Sequence, residues 1–156
     1  MNPETHFLFP FVIASVLAKL NIISWKLVLL CGLIGLIIDL DHYLEHVFHS
    51  KSNRFSFKAA WNNSIKFHRF SQRSFIHHWQ GFLILSIVFL ILSFFYWKIA
   101  FVIAIGYYSH LILDYVHLKK NKTFNWKLGK LYMKESYFEF VLDIILIVML
   151  IVIYLL

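Results

Sequence analysis

Apolar runs of about twenty residues recur along the chain, separated by short polar stretches. A membrane-crossing helix needs about 20 mostly apolar residues. Five segments answer to that description: 5–23, 25–45, 75–96, 98–118 and 137–156. The last is the cleanest and ends in LDIILIVMLIVIYLL. The first is the weakest, because Lys19 interrupts it near its end; from there a lysine can snorkel to the interface. It has no basic leader and no obvious small-residue cleavage site, so it reads as a retained helix rather than a removed signal. Two hydrophilic connections remain, 46–74 and 119–136. In the first, Phe57, Trp61 and Ile65 recur every fourth residue and share one helical face. Lysines and arginines flank that face, which suits a helix lying in the interface beside anionic headgroups. The second connection reads as a basic loop.

Composition agrees. The chain is 60% hydrophobic, and 15% of its 156 residues are charged, against roughly 25% in soluble domains. The expected fold is an all-α integral membrane bundle, one domain over 1–156, with four to five transmembrane helices and an interfacial segment. A single cysteine, Cys31, lies in an apolar run. That excludes a disulfide framework within the chain and a cysteine-rich zinc site.

Charge sets the orientation. The long connections hold Lys51, Arg54, Lys58, Lys66, Arg69 and Arg73, then Lys119, Lys120, Lys122, Lys127, Lys130 and Lys134. The other side of the membrane, by alternation, holds Lys19, Lys26 and Lys98. Cytoplasmic loops carry the lysine and arginine excess. The N-terminus and both long connections are therefore expected in the cytoplasm, and the C-terminus outside. The net charge of +7 is on this reading a topology signal and does not call for a nucleic-acid partner.

The same alternation brings the polar residues together. His6 opens the first span, and Asp39, Asp41, His42 and His46 close the second. His77 and His78 open the third; His110, Asp114 and His117 close the fourth; Glu135, Glu139 and Asp143 open the fifth. All nine histidines fall toward one leaflet. Asp39, His42 and His46 follow i, i+3, i+7, and His110, Asp114 and His117 follow i, i+4, i+7, so each set shares a helical face. Two such faces can enclose a cation, as in bundle-core metal sites. An acid at mid-helix costs about 2.5 to 3.5 kcal/mol on insertion scales, and a metal ion would offset that for several groups at once. Imidazole mixed with carboxylate suits Zn, Mn or Fe better than Ca or Mg. One ion or two are open; a pair would clamp the oxygens of a hydrolysed ester, with Asp39 or Asp41 as the bridge. Arg73 is placed to bind a phosphate oxygen.

The order of these motifs resembles the YdjM-like family of membrane-bound metal-dependent hydrolases. The matching residues are Thr5-His6, Asp39-Leu-Asp41-His42, Arg73-Ser-Phe-Ile-His77 and His110-Leu-Ile-Leu-Asp114, within residues 5–118. The resemblance implies His6, Asp39, Asp41, His42, His77, His110 and Asp114 as metal ligands, and Arg73 as a substrate contact. The chain departs from the family's H-R-G-x-T-H-S pattern, with Gln72, Ser74, Ile76 and His78 at its variant positions. The implied function is hydrolysis of a lipid-like phosphoester or ester at the cytoplasmic leaflet, with Asp41 and Arg73 in catalytic roles. Two other readings stand beside it. One is a non-catalytic, metal-stabilised bundle that binds a lipid or a protein partner. The other is a di-iron hydroxylase or desaturase, to which His42 and His46 supply one histidine box but His77-His78 does not complete a second.

Overall fold

A computed structural model describes residues 3–62, 75–119, 123–128 and 131–155. Helix α1 (Pro3–Lys19) leads into α2 (Trp25–Ile37), α3 (Leu40–His49) and the short α4 (Phe57–Asn62). A 3-10 turn (Phe75–His77) then enters α5 (Trp79–Lys119). Strands β1 (Thr123–Leu128) and β2 (Leu131–Ser136) precede α6 (Tyr137–Leu155). Three helical stretches are long and apolar enough to cross a membrane: Trp25–His49, Trp79–Val116 and Tyr137–Leu155. Helix α1, at 17 residues, is shorter.

The expected third and fourth spans form one helical run, broken at Tyr96 (φ −139°, ψ 60°). Its two arms fold back on each other through aromatic contacts, Phe82 on Tyr108 and Phe89 on Tyr107. The expected second span is also divided. Asp39, Asp41 and His42 donate their backbone N–H groups to the carbonyls three residues earlier, so the helix tightens to 3-10 pitch between α2 and α3. Residues 119–136 are not wholly loop: β1 and β2 pair antiparallel, with Leu128 opposite Leu131 and Thr123 opposite Ser136. In the interfacial stretch, α4 brings the Phe57 and Trp61 rings to 6.2 Å; Ile65 lies outside the described residues.

The half of the bundle away from the histidines is held by small and apolar side chains. Ala14, Ala18, Ile23, Val28, Cys31 and Val102 form its buried core. Small residues let membrane helices approach closely where there is no water to drive them together. Gly32 faces the Phe7 ring, and Gly106 faces Ile34 and the Cys31 carbonyl. Helix α1 ends in a Schellman turn: Asn21 N–H donates to the Ala18 carbonyl and Ile22 N–H to the Leu17 carbonyl. Asn21 supplies the required positive φ of 58°. Lys19, the residue that interrupted the first apolar run, donates its ammonium to the Ile153 carbonyl at 3.0 Å. It thereby meets the negative end of α6.

At the other end, α6 begins with a capping box. Glu139 N–H donates to Ser136 Oγ at 3.1 Å, and Ser136 N–H reaches Glu139 Oε2 at 3.4 Å. The Thr5 hydroxyl lies 3.3 Å from Glu139 Oε1 and 3.0 Å from Asp143 Oδ2. Thr5 and Glu139 are both fully buried. This contact fixes the start of α1, and His6 with it, against α6.

Candidate metal centre

Four elements converge on one point. Helix α1 contributes His6; the 3-10 step between α2 and α3 contributes Asp39, Asp41 and His42; the turn before α5 contributes His77. The last turns of α5 contribute His110 and Asp114. His6 and His110 are wholly buried, and their rings stack with centroids 3.9 Å apart.

Close packing at Gly35 makes this possible. A Cβ there would lie 2.2 Å from the His6 carbonyl oxygen and 2.8 Å from Pro10 Cγ. Pro10 has no N–H with which to hold that carbonyl in the helix ladder, so the His6 carbonyl turns to the α2 backbone. The Gly35 carbonyl in turn accepts a hydrogen bond from His110 Nδ1 at 2.8 Å. With Nδ1 donating, the neutral His110 ring carries its lone pair on Nε2.

His77 is set in the same way. Its Nδ1 lies 2.8 Å from Asp41 Oδ2 and donates to that carboxylate, which turns Nε2 toward His110. His77 Nε2 and His110 Nε2 face each other at 3.1 Å. Around them, His110 Nε2 lies 3.6 Å from Asp39 Oδ1 and 3.7 Å from Asp114 Oδ2, and His77 Nε2 lies 3.6 Å from Asp114 Oδ2. His6 Nε2 lies 3.3 Å from Asp114 Oδ1 and 3.9 Å from Asp39 Oδ2. Neither ring nitrogen of buried His6 makes a hydrogen bond of good geometry among the described residues. Two groups have donor atoms close enough to hold one cation, His6–Asp39–His110 and His77–His110–Asp114. Burial works against a charge on His77, but the hydrogen bond to Asp41 and the charges of Asp41, Asp114 and Asp39 outweigh it. The His77 pKa is raised above its usual value.

The remaining sequence candidates are placed differently. Asp41, buried behind His77, belongs to neither group. His42 is 41% exposed, with Nε2 4.0 Å from Asp39 Oδ1 and Nδ1 3.8 Å from Asp41 Oδ1. His46 turns away and bonds the Asn53 carbonyl at 3.2 Å, and His49 pairs with Glu45 at 2.8 Å. Arg73 and His68 lie outside the described residues, as does the His117 side chain. Sequence spacing missed Gly35, whose backbone orients His110, and Thr5's tie to Glu139.

Neither a curated protein nor a solved structure matches the chain. A family model does, over residues 1–155. That span takes in all of the converging elements and α6 besides, and its description as an inner membrane protein agrees with the three apolar helices: the chain belongs to the YdjM inner membrane protein family.

Proposed function

We propose that this protein is a membrane-embedded, metal-dependent hydrolase. It acts on a phosphoester or ester of a lipid-like substrate at the cytoplasmic leaflet, in a multi-pass chain whose N-terminus is cytoplasmic. One observation carries the reading. His77 Nε2 and His110 Nε2, each with its Nδ1 committed to an acceptor, lie only 3.1 Å apart. A shared proton or a metal cation can hold two ring nitrogens this close, and the Asp39 and Asp114 carboxylates beside them favour the metal. A carboxylate or carbonyl behind a ligating imidazole is the usual support of such a ligand.

The donor set fits a divalent ion. Zinc bonds to imidazole of 2.0–2.1 Å give tetrahedral ligand-to-ligand edges of about 3.3 Å; the donor atoms of each group here lie within 4.8 Å of one another, the nearest pair at 3.1 Å. His110 Nε2 belongs to both donor groups and has one lone pair to give, which favours one ion over two. Zinc is the first candidate, with manganese or iron next.

A divalent cation held there would polarise an ester or phosphoryl oxygen and acidify a nearby water. The chain supplies the rest. Asp41 and Gly35 hold the two imidazoles in the required tautomer. His42, partly exposed and outside both donor groups, is proposed to accept a proton from the attacking water. Arg73 is proposed as the contact to a substrate phosphate oxygen.

The number of donors supports a second reading. Five exceed the four positions of a structural zinc, so the ion would staple the bundle with no turnover. One experiment separates the two. Detergent-purified protein is assayed for metal by elemental mass spectrometry, then for headgroup or phosphate release from a panel of phospholipids and polyprenyl phosphates. The hydrolase reading expects one equivalent of metal, lost in His110→Ala/Asp114→Ala. It also expects His42→Ala to keep the metal and lose about 10²-fold or more in rate. Metal whose removal unfolds the protein, with no turnover on any substrate, selects the staple. Wild type that stays metal-free after reconstitution removes both.

A further inference from the structure

The centre opens sideways. Between the turn at His77 and the two arms of α5 lies a cleft of about 230 Å³. Its floor is polar and belongs to the candidate centre: His77 and Asp114. The rest of its lining is Trp79, Phe82, Leu111 and Tyr115, with the exposed His78 beside them. Trp79 and Tyr115 are largely exposed, and Phe82 is 42% exposed, on a stretch apolar enough to lie in the membrane. One turn further from the centre, Tyr108 bridges the arms, its ring 5.6 Å from Phe82 and its hydroxyl 2.7 Å from Ser86. The cleft is therefore largely apolar along its sides and metal-ready at its floor. An apolar slot with a few convergent polar groups is the usual form of a small-molecule site.

We propose that this cleft seats the first segment of the hydrocarbon chain of a membrane amphiphile, with the ester or phosphoester that ends the chain laid against His77 and Asp114. The assignment rests on the hydrolase reading and adds the path by which its substrate enters, laterally from the lipid. Other exposed apolar faces, such as Ile87 and Phe94 on α5 or Ile144 and Val148 on α6, do not line this cleft.

The shared chemistry, a chain ending in an ester or phosphoester, can come from an acyl lipid or from an isoprenoid phosphate. The full-length protein in nanodiscs is given two photoreactive probes, one a phospholipid with the reactive group near the glycerol end of its acyl chain. The other is a polyprenyl phosphate with the group in its first isoprene units. Adducts are mapped by peptide mass spectrometry, and metal content is measured on the same samples. The expected result is adducts on the peptides carrying 79–83 and 111–116 with one probe, which identifies the source. That label should be lost in Leu111→Trp, retained in Leu111→Ala, and displaced in wild type by excess unlabelled amphiphile. Label spread over α5 and α6 in proportion to exposed surface, undisplaced by the competitor, overturns the proposal even if Leu111→Trp does not fold. Wild type that binds no metal but shows displaceable cleft label fails the hydrolase reading and keeps the chain site.

Discussion

Asp41 makes a test at the scale of one residue. Its carboxylate holds His77 Nδ1 at 2.8 Å and stands outside both donor groups. A group that only orients a ligand should change affinity without changing the ligand set. Asp41→Ala should weaken metal binding by about 10- to 100-fold, and Asp41→Asn, which keeps an oxygen acceptor, by less. With Co(II) as the probe, chelator titration gives the affinity, and the d–d spectrum reports the ligands. The spectrum should survive Asp41→Ala and change in Asp114→Ala; a changed spectrum in both would make Asp41 a ligand. His6, Asp39, His77, His110 and Asp114 were legible because each closes or opens an apolar run on one side. His46 was misread. Its i+7 spacing from Asp39 assumes an unbroken 3.6-residue period, and the 3-10 step between α2 and α3 shifts the register, so His46 holds Asn53 instead. The capping box of Ser136 and Glu139 was there to be read as S-x-x-E before an apolar run. Thr5's reach to Glu139 across the chain has no local signal.

Helix crossings decide whether those residues meet, and Gly35 is the crossing that matters most. An added methyl there would strike backbone, the His6 carbonyl, at 2.2 Å, so α1 and α2 must separate. The His6–His110 stack and the His110–Gly35 hydrogen bond would both be strained. Gly35→Ala should destabilise the protein by about 1–3 kcal/mol, the range of overpacking, and weaken metal binding with it. Gly32→Ala meets only the Phe7 side chain, which can rotate, and should be milder. Thermal melts with and without metal, beside chelator titration, measure both effects; wild-type behaviour of Gly35→Ala would mean the crossing has room for a methyl group. The spans themselves were readable from apolar length, as was the break at Tyr96, where Trp97 and Lys98 interrupt the run. The hairpin was not. Its Gly-Lys pair at 129–130 and the alternation of Phe124, Trp126 and Leu128 are hairpin signals, hidden under a lysine-rich composition that fits a loop equally well.

For the molecule as a whole, the question is which pool of lipid and metal the centre meets. Aromatic residues mark two levels: Trp25, which packs 5.3 Å from Tyr154, with Trp97 under Lys98 at one end, and Trp79, Tyr115 and Tyr137 at the other. Along α6, Tyr137 and Tyr154 are about 26 Å apart at 1.5 Å per residue, close to the roughly 30 Å of a hydrocarbon core. Between such belts the cluster of His6, His77 and His110 sits near the end where both long connections emerge, and those connections hold most of the lysine and arginine. On the charge rule that end is expected in the cytoplasm. Single cysteines in a Cys31→Ser background test it in spheroplasts with a membrane-impermeant maleimide. Leu20→Cys, in the exposed turn after α1, should label in intact spheroplasts. Ser52→Cys, in the exposed stretch after α3, should label only after permeabilisation. The reverse pattern would turn the centre to the outer leaflet: the cytoplasmic substrate would fall, while the metal centre and its cleft, built from contacts that do not depend on orientation, would remain to be tested against lipids of the other face.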